Sequence, residues 1–169
     1  MSLTWAPGVA MNKEEIDGFL NQKLISRFTS IRPDGYPHTT PLWYVWNGEA
    51  LWFVVGAGVR PRQHIRNLRQ NPKISAIIDR DARPTEGGSY NAQGVTVRGI
   101  AELTTDEGVQ DDVSRKILMR YFGGVSDENV RALLEDGKPG NNRVIVKVRP
   151  EKLYAWDLLK LEGGGYLDE

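Results

Sequence analysis

The spacing of apolar residues switches between the helical and the strand period along the chain. Residues 1–11 carry no period and read as a loose arm. Asn12, with Glu15 three positions on, has the form of a capping box, and Ile16, Phe19 and Leu20 then recur at helical spacing. Beyond them the period is that of strands. Residues 24–31 form one candidate strand, closed by the turn Arg32-Pro33-Asp34-Gly35, in which Pro33 presets φ and Asp34 and Gly35 tolerate the reversal. Residues 39–46, rich in aromatic and β-branched side chains, end at Asn47-Gly48, a strong hairpin signal, with 50–55 as the partner. Three such runs joined by tight turns predict a meander. Pro41 has no N–H to give a ladder, so its strand lies at an edge or carries a bulge.

After Gly56-Ala57-Gly58 the pattern becomes helical from about Pro61, with Ile65 and Leu68 as a short apolar stripe and Pro72 as a stop. Residues 74–78 and 95–103 read as strands around a polar loop, 79–94. Thr104 and Glu107 have the spacing of a second capping box, ahead of Val109, Val113, Ile117 and Tyr121 on one helical stripe. A short helix is expected near 127–135, then two strands, 144–148 and 153–156, with Pro150 at the bend. The strands follow one another too closely for βαβ crossovers. The expected class is therefore mainly β, of α+β type: a six- to seven-stranded antiparallel barrel with short peripheral helices, in a single domain over 1–169.

Composition narrows the chemistry. The 169 residues include no cysteine, which removes disulfides, thiolate metal sites and thiol nucleophiles, and only two histidines, His38 and His64, so no metal site is expected. No stretch approaches the ~20 apolar residues of a membrane span, and the first residues lack a signal-peptide pattern, so the chain reads as soluble and cytoplasmic. Lys and Arg number 22 against 22 Asp and Glu. Neutrality argues against a nucleic-acid coat, but the charges are not evenly spread. Between residues 50 and 78 stand Arg60, Arg62, Arg66, Arg69 and Lys73 with no acid, whereas 102–112 holds acids and no base. A local basic island suits a compact anionic ligand.

That island centres on residues 57–69. A helix starting near Pro61 would place first-turn N–H groups and the positive end of its dipole beside Arg62 and His64. Ala57 and Gly58 just upstream would let a ligand approach the backbone. Arg62, Arg66 and Arg69 share one face at helical spacing. A solvated basic face on a structural helix explains the same arginines and is the commoner reason for such a run. No Walker or dinucleotide fingerprint is present. The segment 38–46 could wall a flat ring, although core packing accounts for its aromatics as well. His38, beside a turn, is expected at the surface. No Ser/His/Asp triad, H-E-x-x-H helix or catalytic carboxylate pair shows a spacing signal, so any chemistry would come from a cofactor.

Three motifs in order, Arg32-Pro33-Asp34-Gly35-Tyr36-Pro37-His38-Thr39-Thr40-Pro41-Leu42-Trp43, then the run from Pro61 to Pro72 containing Arg66-Asn67-Leu68, then Val97-Arg98-Gly99-Ile100-Ala101-Glu102-Leu103, carry a likeness. In them the chain resembles the pyridoxamine 5′-phosphate oxidase-like superfamily, and within it the flavin- and deazaflavin-dependent oxidoreductases. The resemblance implies a split β-barrel homodimer with two cofactor sites, for FMN or a deazaflavin, at the subunit interface. It implies that the cofactor phosphate is held by Arg62, with Gln63 and His64 nearby and Arg66 in a structural or contact role. It also implies that Pro41, Leu42 and Trp43 lie beside the ring. His64 stands where many members have Lys, and Val55-Gly56-Ala57 where hydroxyl residues often assist the phosphate. The Arg-and-His substrate motif of true pyridoxamine phosphate oxidases is not evident in 144–169. The implied function is hydride transfer between the cofactor and a small organic substrate. A non-catalytic flavin or haem-type carrier on the same barrel is the alternative, and an oligonucleotide-binding barrel is disfavoured by the zero net charge.

Overall fold

Two strands that follow each other in the chain lie at opposite edges of one sheet, and this dictates the shape of the molecule. In the computed structural model, which describes residues 7–56, 61–80, 83–84, 91–135 and 143–161, the strands are β1 (Ser26–Ile31), β2 (Pro37–Leu42), β3 (Val45–Trp46), β4 (Leu51–Gly56), β5 (Lys73–Asp79), β6 (Gln93–Thr104) and β7 (Arg143–Asp157). All pairings are antiparallel, in the order β2-β1-β5-β6-β7-β4-β3. A flat sheet of that many strands would put its edges roughly 29 Å apart. Leu42 and Val45, at those two edges, are three Cα steps apart, a reach of about 11 Å at most. The sheet must curl back on itself, as the barrel expectation requires.

The concave side holds the main core. Phe28, Leu51, Phe53, Val55, Ile74, Ala76, Ile78, Val95, Val97, Val144, Val146 and Val148 alternate along their strands and pack together. Helices α1 (Lys13–Leu20) and α2 (Gln63–Gln70) add Phe19, Leu20, Ile65 and Leu68 to that core. On the other face of β3, β4 and β7, Val45, Val54 and Ile145 meet Val113, Ile117 and Tyr121 of α3 (Glu107–Phe122), the stripe read from the sequence. Helix α4 (Asp127–Glu135) packs against α3, and Leu133 and Leu134 reach the same cluster.

The Asn12–Glu15 capping box and the turns at Gly35 and Gly48 form as expected, the two glycines at φ 84° and 90°. Five expectations are corrected. Residues 39–46 are not one strand: Trp43 and Tyr44 interrupt it, β2 pairing with β1 and β3 with β4, so there is no three-strand meander. Part of the loose arm is ordered, with Val9 and Met11 buried and Ala10 bridged to Trp156. Helix α2 starts at Gln63, two residues late, because Arg62 is still extended at ψ 152° and serves as its N-cap. The cap of α3 is Asp106, whose carboxylate accepts the Val109 N–H at 2.9 Å, while the Thr104 hydroxyl accepts from Asp106 N. The last two strands are one, β7, because an irregularity beside Gly99 absorbs Pro150 without ending the ladder. Half of the polar loop 79–94 lies outside the described residues. Among the described residues no helix is long and apolar enough to cross a membrane.

Candidate functional site

Strand β2 is an edge strand, so the missing N–H of Pro41 costs no ladder bond there. Where β2 ends, Pro41, Leu42 and Trp43 form one wall of a pocket of about 340 Å³. Ile25, just before β1, and Val54, on the outer face of β4, continue that wall. Ile117 of α3, Leu133 of α4 and Arg143, the first residue of β7, also line the pocket, and Arg143 is the one ionisable lining residue among the described residues. Trp43 remains 40% exposed.

The end of α3 holds this wall in place. The Trp43 ring stacks on Tyr121 at 5.5 Å between centroids and meets Phe122 edge-on at 5.0 Å. The Tyr121 hydroxyl donates to Leu24 O at 2.6 Å and accepts from Tyr44 N at 3.3 Å, tying the start of β1 to the β2–β3 link. Burial pushes the Tyr121 phenol pKa upward, so it stays a donor at any physiological pH. Arg120 donates to Leu20 O and Tyr44 O, and its guanidinium lies 5.3 Å from the centre of the Tyr44 ring. None of these contacts was marked by a motif; only the helical stripe pointed to Tyr121, as a core residue.

Helix α2 presents a second set of groups. At about 100° per residue, Arg62, Arg66 and Arg69 fall within roughly 60° of one another on the exposed side. The opposite side, His64, Ile65, Asn67 and Leu68, is buried. Asn67 donates to the Ser30 hydroxyl at 2.9 Å and accepts from Gln63 Nε2 at 2.7 Å, so Gln63 bridges Asn67 and Arg66. Arg62 N–H donates to Gly56 O at 3.2 Å, which holds the start of α2 at the end of β4. No side chain caps this helix and its first turn carries no acid. By contrast, α1 and α3 are capped by Asn12 and Asp106.

Of the nine candidate site residues, those that are described fall into two groups. Pro41, Leu42 and Trp43 line the pocket together. Arg62 and Arg66 lie exposed on α2, with Gln63 between them and the core. His64 is turned inward: it is 5% exposed, its ring is edge-on to Phe28 at 6.4 Å and stacked on His38 at 6.3 Å, and its Nε2 has no partner. Burial, then His38 and Arg62, push its pKa down to about 4, so at neutral pH it brings no charge to an anion. His38 is half-buried against it and not a surface residue as expected. Ala57 and Gly58 lie outside the described residues. Gly56, paired with Arg143 and bonded to Arg62, connects the two groups through β4. Sequence reading passed over Arg143 because it stands alone at a strand start, with no motif around it. Among the described residues no group of three or more His, Asp or Glu could hold a metal ion.

A family model described as pyridoxamine 5′-phosphate oxidase matches residues 12–157. Among solved structures, a conserved hypothetical protein from Mycobacterium tuberculosis is similar at 28% identity and a TM-score of 0.77, over 92% of this chain and 90% of that one. A protein named F420 reductase is similar at 25% identity and a TM-score of 0.58, over 81% of this chain and 94% of that one. The haem storage protein HutZ from Vibrio cholerae, at 18% identity and a TM-score of 0.65 over 88% and 97%, shares the fold.

Proposed function

The chain belongs to the pyridoxamine 5′-phosphate oxidase family, and from that premise we propose that it is an oxidoreductase for a small organic substrate, using a phosphate-bearing flavin or deazaflavin. The observation that carries this reading is the uncapped, acid-free N-terminus of α2 with Arg62 at its cap and Arg66 on the same exposed face. First-turn amides and a guanidinium fit a phosphate. The apolar wall of Pro41, Leu42 and Trp43 fits the face of a tricyclic ring. Similarity to a protein named F420 reductase supports a cofactor of the flavin or deazaflavin type.

When bound, such a cofactor supplies the hydride chemistry. The residues of this chain position and shield. Arg62 and the α2 amides hold the phosphate, Tyr121 and Arg120 keep Trp43 and Tyr44 in register, and Trp43 excludes water from the ring face. A second copy of the chain completes the site, in keeping with the exposed Ile25, Trp43 and Phe122 around the pocket. The reading includes a cytoplasmic setting.

Among the described residues the pocket lining contains no carboxylate, imidazole, amine or phenol. That favours keeping a second reading, a carrier of flavin or haem type, alongside the first. Turnover separates them. The protein is mixed anaerobically with reduced FMN or reduced deazaflavin and a panel of quinones and unsaturated carbonyls. An oxidoreductase accelerates cofactor oxidation by at least one acceptor, whereas a carrier binds the cofactor and accelerates none.

A further inference from the structure

We propose that Gln63 and Asn67 are positioning residues: with Ser30 they form a hydrogen-bonded relay from the barrel core that holds the Arg66 guanidinium over the first turn of α2, as a second group for the cofactor phosphate. The inference rests on the cofactor reading for the phosphate and on the geometry of α2 for the relay. Gln63, Arg66 and Asn67 stand at i, i+3 and i+4, so their side chains are neighbours on one helix. Asn67 and Ser30 are fully buried, and Asn67 Nδ2 donates to Ser30 Oγ at 2.9 Å. Gln63 Nε2 donates to Asn67 Oδ1 at 2.7 Å, and Gln63 Oε1 accepts from Arg66. Every bond runs in the same sense, from the guanidinium towards β1, so each polarises the next.

Fastening α2 to the sheet requires only the Asn67–Ser30 bond. The bond between Gln63 and Arg66 adds little to it, because water serves an exposed guanidinium equally well. Its effect is on the cation. An arginine side chain loses rotamer freedom when it binds an anion, and one already held loses less. The hold also sets direction: Arg66 reaches back to a residue three positions earlier, so its guanidinium lies over the first turn, where amide N–H groups have no helical carbonyl. Among the described residues no carboxylate pairs with Arg66, and the first turn of α2 holds no acid, so the charge is left for an anion. Both polar ends of the Gln63 side chain are engaged within the relay, which makes it a support for the arginine in place of a direct phosphate contact.

The test uses the full chain, first without cofactor. The side-chain N–H signals of Arg66, identified through Arg66→Lys, are followed by NMR while inorganic phosphate is added. They are expected to stand apart from those of free arginines and to shift with phosphate. In Gln63→Leu they should move to the free-arginine position, and the phosphate affinity should fall several-fold. FMN is then compared with riboflavin, and the deazaflavin coenzyme with its phosphate-free chromophore, by tryptophan fluorescence. Arg66→Ala should cut the advantage of the phosphorylated form about tenfold or more, the worth of one charge-assisted contact, and Gln63→Leu should cut it by less. The double variant should lose no more than Arg66→Ala alone, because Gln63 acts through Arg66. Gln63→Glu keeps the shape of the side chain and serves if Gln63→Leu folds poorly; its carboxylate claims the guanidinium and should weaken the phosphorylated forms alone. Additive losses, Arg66 signals indifferent to phosphate, or an unchanged advantage in Arg66→Ala overturn the proposal. If no cofactor binds, the cofactor reading fails, while the phosphate titration of Arg66 still decides this inference.

Discussion

His64 shows how one helical position can be misjudged and what its real placement implies. Its spacing from Ile65 and Leu68 left it on the border of the apolar stripe, and a basic neighbourhood made an outward, anion-facing ring the natural reading. The buried arc of α2 is wider than those two residues suggest, about 160° from Asn67 through His64 to Ile65. The ring consequently lies inside, neutral, with a pKa near 4 in place of an ordinary 6.5. As pH falls, the unfolded chain takes a proton near 6.5 and the folded chain only near 4, so stability present at neutral pH is lost across that window. The expected loss is about 1–2 kcal/mol between pH 7 and pH 5 in urea unfolding, and His64→Gln should flatten that slope. An unchanged slope in the variant would place the titration elsewhere. Arg62 and Arg66, by contrast, were legible, because charge and a 3.6-residue period suffice to put them outside.

At the scale of elements, α3 does more than cover the sheet. Its last turn reaches over the β2–β3 link, where Tyr121 bonds the backbone of Leu24 and Tyr44 and carries the Trp43 ring. Tyr121→Phe leaves two backbone groups without a partner at a buried position, so a loss of about 1–3 kcal/mol is expected. Near-UV circular dichroism should change with it as Trp43 loosens. A variant as stable as the parent, with the same aromatic signal, would contradict the clamp. The stripe from Val109 to Tyr121 could be read in the sequence because periodicity reports burial. The clamp could not, because a hydroxyl's partners 77 and 97 residues away leave no local trace. The same limit applies to β7: Pro150 is a sound local signal for a break, and only the matching irregularity beside Gly99 in β6 lets the strand run on.

For the whole molecule, the decisive feature is the long β6–β7 pair at the centre of the curled sheet. Gly99 lies at its irregularity, where an added Cβ would stand 2.3 Å from Arg149 O. Gly99→Ala should therefore cost about 1–3 kcal/mol as the two backbones separate. An unaltered melting temperature would show that this approach is not needed. Strand count and class were readable from turns and alternation, whereas the strand order was not, since nothing in residues 39–46 says that β2 and β3 belong to opposite edges. That same arrangement puts Trp43 at the seam between the two edges, beside the pocket, whose lining residue Arg143 pairs with Gly56, the residue that holds the start of α2. The central claim is that α2 holds the phosphate of a cofactor whose ring lies on this seam. It is tested most directly by parallel titration of the apo-protein and its Arg62→Ala variant with FMN and with the deazaflavin coenzyme, following tryptophan fluorescence. The account predicts that one cofactor binds more tightly than about 100 µM, roughly −5.5 kcal/mol, and that the variant loses about 1.5–3 kcal/mol of that affinity. Failure of both cofactors to bind, or equal binding by the variant, would contradict it.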